Sequence, residues 1–200
     1  MRTALLIAAA ALAAVPAVVR AQEAGRRGLW VEAGLGTGVA RVGCSACTDP
    51  SVVYGSTGWV RLGTRLTERV QLGAELFGYD DRAAARSAEP VDPLEARNAS
   101  LMGAVMWFPT GSGFFLTGGL GLARGPFTVT PPDGPAVTTR RTGSGLAFGL
   151  GLDLPVFRYF AVTLDLGARF AAIGDIALPG APIDDVIATT YHAGIAFTLR

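Results

Sequence analysis

Lysine is absent from this 200-residue chain, so all 17 basic residues are arginine. Histidine occurs once, cysteine twice, and only 16% of residues are charged. A soluble domain normally covers itself with Lys and Glu, and that covering is missing. The formal charge of +1 gives no basic footprint, which argues against a nucleic-acid partner. One histidine and two cysteines cannot close a usual zinc set, and no cofactor is expected. Long apolar runs are also scarce beyond the first residues. The best stretch, Ser144 to Phe170, is broken by Asp153, Pro155, Arg158, Asp165 and Arg169, which excludes a transmembrane helix there.

What is present is apolar residues, half of the chain, and 27 glycines. With a mean hydropathy of +0.39 and almost no net charge, intrinsic disorder is excluded. The first 21 residues read as an export signal: Arg2, an apolar stretch from Ala4 to Val19, then Val19-Arg20-Ala21 with cleavage expected after Ala21. Losing Arg2 and Arg20 leaves 15 Arg against 16 acids, a formal −1. Residues 22–27 are expected to form a short periplasmic segment, and residues 28–200 the folded unit. An apolar exported chain without helical spans has one way to cross a membrane, a closed β-barrel whose backbone groups all pair.

Period-two alternation supports this eight times. Strands are expected near Leu29–Val42, Gly58–Leu66, Val70–Tyr79, Ala99–Phe108, Phe114–Ala123, Leu146–Leu154, Phe160–Arg169 and Tyr191–Leu199. In the first, Val31, Ala33, Leu35, Thr37 and Val39 share one face, and Trp30, Glu32, Gly34, Gly36 and Gly38 the other. The fourth is apolar on both faces, which leaves its parity open. Short links after the second, fourth and sixth strands alternate with much longer ones, the arrangement of bacterial outer-membrane barrels. It places the termini and short turns in the periplasm and the long loops outside. A soluble lipocalin-like barrel also alternates, but its second face would meet water. Here that face carries Gly34-Gly36-Gly38, Gly119-Gly121 and Gly149-Gly151 at same-face positions, which suits a crowded lumen. Aromatic residues gather near both strand ends, as two girdles would.

The segments GLWVEAGLGTG, VRLGTRLTERVQLGAELFGY, FFLTGGLGLA, GLAFGLGLDLP and YHAGIAFTLR resemble the eight-stranded bacterial outer-membrane β-barrel family, OmpA transmembrane domain-like and OmpX-like. The resemblance spans nearly all of residues 28–200. It implies an all-β, eight-stranded, antiparallel up-and-down transmembrane β-barrel in the cell outer membrane, inserted by the barrel assembly machinery. Many members end in Phe, whereas this sequence ends in Arg200, with Phe197 three positions earlier. No peptidoglycan-binding domain is expected after the last strand.

By parity the lumen should hold Glu32, Arg61, Arg65, Glu75, Asp153, Asp165 and Arg169 as an ion-pair network, since a charge there must be paired or wet. His192 shares the inward parity and is expected to be a satisfied lumen histidine. The lumen of eight strands is nearly filled by side chains, which argues against a general diffusion porin. Cys44 and Cys47 lie in the first long loop, and an oxidising compartment predicts a disulfide between them. Asn98-Ala99-Ser100 matches a glycosylation sequon but is discounted in a bacterial barrel. The loops carry both acids and arginines, so lipopolysaccharide and outer-membrane lipid are the expected partners of a monomer. The expected function is a non-enzymatic structural or surface-interaction role. The alternatives are a narrow gated channel, a lipid A-modifying enzyme and a soluble ligand-binding barrel.

Overall fold

Alternating outward apolar and inward small or polar residues build eight antiparallel strands in one continuous ring. The computed structural model describes residues 28–43, 52–81, 97–111, 113–129, 137–176 and 183–200. The strands are β1 (Leu29–Gly43), β2 (Val52–Arg65), β3 (Val70–Asp80), β4 (Arg97–Trp107), β5 (Phe114–Val129), β6 (Val137–Phe157), β7 (Phe160–Ile176) and β8 (Ile183–Leu199). Each pairs with its sequence neighbour, and β1 pairs with β8 to close the barrel. Closure leaves no sheet edge unpaired. The predicted leader 1–21, the segment 22–27 and both Cys44 and Cys47 lie outside the described residues.

The outer wall carries a broad apolar band: Leu35 is 68% exposed, Leu120 70% and Phe157 73%. Such a surface is stable only against lipid. β4 resolves its open parity by turning Leu101, Val105 and Trp107 outward and Ser100, Met102, Ala104 and Met106 inward. Strands β5 to β8 run further toward the long loops than the alternation suggested. There Thr, Arg and Asp replace the apolar residues in β5, β6 and β8, and register shifts between Ala172 and Ile176 break the alternation in β7.

The short turns are tight. Thr67 Oγ1 accepts hydrogen bonds from the backbone N–H of Arg69 (3.2 Å) and Val70 (3.0 Å), replacing ladder bonds at the β2–β3 reversal. Gly111, at a φ of 67°, supplies the left-handed residue between β4 and β5.

Not every aromatic end residue belongs to a girdle. Trp107, Phe157, Tyr159 and Phe197 face outward, but Trp30, Phe108 and Phe115 are buried inside near the short turns, and Phe77 and Tyr79 inside nearer the long loops. Glycines make room for these inward rings. A Cβ at Gly34 would overlap the Trp59 indole, and one at Gly151 would overlap the Phe115 ring.

Candidate functional site: a charged layer across the lumen

The register sets the site. Glu32 on β1 lies opposite Arg61 on β2, and Arg61 lies opposite Glu75 on β3. Three inward charges therefore stand in one row, a neighbour spacing short enough for side chains to meet. Asp165 and Arg169 on β7 and His192 on β8 enter the same layer from another part of the wall. Glycine again clears the space, since a Cβ at Gly167 would overlap the His192 ring.

Arg61 is the hub. Its Nε donates to Glu75 Oε2 at 2.6 Å, and its Nη1 donates to Glu32 Oε1 at 2.9 Å and Asp165 Oδ2 at 2.6 Å. Arg169 donates from Nε (3.0 Å) and Nη2 (2.7 Å) to Glu75 Oε1. That carboxylate is thus clamped between two guanidiniums. Trp59 Nε1 donates to Glu32 Oε1 at 2.8 Å.

His192 fits this layer in one tautomer. Arg169 Nη1, a donor only, lies 2.7 Å from Nδ1 and 3.1 Å from Nε2; with Nδ1 accepting at the shorter distance, Nε2 is free to donate to Asp165 Oδ1 at 2.7 Å. The ring meets Trp59 and Phe77 edge-on, at centroid distances of 5.4 and 5.3 Å. The Arg169 guanidinium sits 3.7 Å above the Phe77 ring centroid, a cation–π contact out of water.

Asp153 belongs to a second, smaller cluster near the short turns. It accepts from Thr163 Oγ1 at 2.6 Å; Thr163 accepts in turn from Thr198 Oγ1 at 2.8 Å, and Thr198 Oγ1 lies 3.3 Å from Glu32 Oε2. The hydroxyls therefore join Asp153 to the main layer. Its ionic partner is Arg200, which also lies 5.9 Å from the Phe108 ring centroid. Burial, and then the like charge of Arg65, lower the pKa of the Arg200 guanidinium, while Glu32 acts the other way. It remains a cation at neutral pH.

Arg65 differs from expectation. It has inward parity, but it is the last residue of β2 and is exposed. The enclosed lumen ends before it, so its charge stays in water. Arg200 supplies the cation that Arg65 was expected to supply. Its parity signalled this, because Arg200 follows His192, Gly194, Ala196 and Thr198 by steps of two. Trp59, Thr163 and Thr198 also carry inward parity; only their role as donors and bridges is new.

Apolar layers flank the charges. Trp30, Met106, Phe108 and Phe115 close the short-turn side, and Val42, Tyr79, Ile173, Val186 and their neighbours fill the long-loop side. Asn98 Nδ2, from the discounted sequon, donates to Thr190 Oγ1 at 3.0 Å inside that end. Between the plugs a cavity of ≈ 10 Å³ is lined by Arg61, Glu75, Asp165, Arg169 and His192. That volume is about the lower limit for one water molecule.

These observations define a class: a closed, membrane-spanning barrel of eight strands whose lumen is crossed by buried ion pairs. Within it the chain belongs to the outer membrane protein beta-barrel domain family, whose model matches residues 4–196. Membership places it in the outer membrane of a Gram-negative type of cell. It is similar to the crystal structure of Neisserial surface protein A (NspA), at a TM-score of 0.51 and 18% identity over 84% of this chain and 95% of that one. It is also similar to Ail, the attachment invasion locus protein of Yersinia pestis, solved with the heparin analogue sucrose octasulfate. There the TM-score is 0.57 and the identity 14%, over 86% of this chain and 99% of that one. Likeness at these identities concerns the fold. No curated protein matches the sequence.

Proposed function

We propose that this protein is a non-enzymatic outer-membrane barrel with a structural or surface-interaction role, its long loops outside the cell and its lumen closed. The observation that carries this reading is the filled cross-section. A hub arginine shared by three carboxylates lies between two apolar layers, so a solute would have to break buried ion pairs to pass. His192 supports the non-enzymatic part, because its ring nitrogens are engaged by Arg169 and Asp165 inside the barrel. A base acting on lipid would have to face the other way. The fold shared with NspA and Ail, a surface protein and an attachment protein by name, agrees with work done at the loops.

The test is surface presentation. An epitope inserted within 130–136 should be detected on intact cells without permeabilisation, whereas one appended after Arg200 should need permeabilisation. The reverse pattern would overturn the orientation, and a soluble product with no heat-dependent gel shift would overturn the barrel reading.

A second reading makes the charged layer a gate. One guanidinium bonded to three carboxylates can exchange partners without leaving the lumen. This reading predicts discrete conductance steps in planar bilayers that change on Arg61→Ala or Glu75→Ala.

A further inference from the structure

One feature of the outer wall departs from a plain apolar band. On β1, Val39 lies opposite Tyr54 of β2 and Tyr191 of β8. Both tyrosines are exposed, at 68% and 49%, so a ring stands on either side of Val39. The next outward row is small and polar: Thr37, opposite Ser56 and Ala193. The result is a groove of ≈ 630 Å³ running along β1 between the rings. Leu35, in the following row, stands out and ends it. At the other end, two residues beyond Val39, the outward Arg41 is exposed and makes no hydrogen bond or ion pair among the described residues.

The dimensions select the occupant. The strands carrying the two rings are about 10 Å apart, twice the inter-strand spacing. With the rings in place the slot is narrower than a helix of about 10–12 Å, yet it suits a single hydrocarbon chain. Tyrosines sit well at the level where acyl chains meet headgroups. Arg41 then lies at headgroup depth, about 7 Å further along the strand. A guanidinium that pairs with nothing among the described residues matches a phosphate there, which it can bind through two parallel N–H bonds.

We infer that this groove is a binding site for a phosphorylated, multiply acylated glycolipid of the outer leaflet, one acyl chain between Tyr54 and Tyr191 and a phosphate on Arg41. This rests on the proposed orientation, in which the long-loop end lies in the outer leaflet. It deepens the expected lipopolysaccharide contact by giving it a place. Arg124 and Arg140 are further outward cations on neighbouring strands, opposite Thr142 and Pro126, but Leu120 and Leu122 protrude beneath them and leave no chain-sized slot.

The test uses the full barrel refolded into phosphatidylcholine nanodiscs doped with lipid A, or with dephosphorylated lipid A, and counts retained lipid by native mass spectrometry. Wild type should retain the phosphorylated form preferentially. Arg41→Gln should lower that retention about tenfold, the loss of one charge-assisted contact, and abolish the preference. Thr37→Phe, which fills the groove floor, should lower retention of both forms. Arg158→Gln at the opposite end should change nothing. Equal retention of the two forms by wild type would overturn the inference. So would undiminished retention by Arg41→Gln or Thr37→Phe variants that keep their heat-dependent gel shift, or an equal loss on Arg124→Gln/Arg140→Gln. The nanodisc result does not depend on orientation, so failure of the whole-cell epitope pattern is read separately from failure of this site.

Discussion

The middle of the lumen and its short-turn end close the same barrel by opposite means. In the middle, Glu32, Arg61, Glu75, Asp165, Arg169 and His192 fill the cross-section with charge. At the short-turn end, Trp30, Met106, Phe108 and Phe115 fill it with apolar volume, and the Asp153–Arg200 ion pair there keeps its cation about a third exposed. The energetic consequences differ. An apolar plug is stabilised by area removed from water and loses stability in proportion to what is cut away. A buried ion network gives little net stability compared with well-packed apolar residues, but removing one member leaves its partners charged and unpaired. The central layer should therefore be the less tolerant of single substitutions.

The largest expected effect follows from that. Arg61→Met strips three carboxylates of their shared cation and should cost about 3–5 kcal/mol, read as a lower urea midpoint for the heat-modifiable form. Phe115→Ala, which empties the end plug without stranding a charge, should cost about 3 kcal/mol in the same measurement. If Phe115→Ala proved the more damaging, the contrast between the layers would fail. Gly34→Val should cost about 2 kcal/mol through overpacking against the Trp59 indole, with the indole fluorescence shifted. Arg200→Gln should cost about 1–2 kcal/mol, since its guanidinium is partly solvated but its loss leaves the buried Asp153 carboxylate with the Thr163 hydroxyl alone. The exposed Arg65 sharpens the comparison, since Arg65→Gln should leave the midpoint unchanged although it shares the parity of Arg61.

Much of this architecture was legible in the sequence because a barrel wall has a strict period of two. Leu29 to Val42, Val70 to Tyr79 and Phe160 to Arg169 each announced which face met lipid. The inward charges announced themselves by sharing a face with glycine. Parity alone could not say how far along the barrel a residue lies, and that is where Arg65 and Arg200 exchanged places. One stands past the end of the enclosed lumen, and the other folds back onto Asp153. Nor could parity show that glycines such as Gly34 and Gly151 lie against Trp59 and Phe115, since each is the ring's partner on the next strand and that pairing is set by the register between strands joined by long loops. β4 was opaque for a related reason: Met102, Ala104 and Met106 are apolar although they face inward, because their neighbours inside include rings and methyl groups as well as charges.

The central claim is that the charged layer closes the lumen. Single-channel recording of the wild-type barrel in planar bilayers tests it most directly. A lumen sealed by Arg61 and its three carboxylates predicts a quiet baseline with no discrete conductance steps; reproducible steps from the wild-type protein would contradict it.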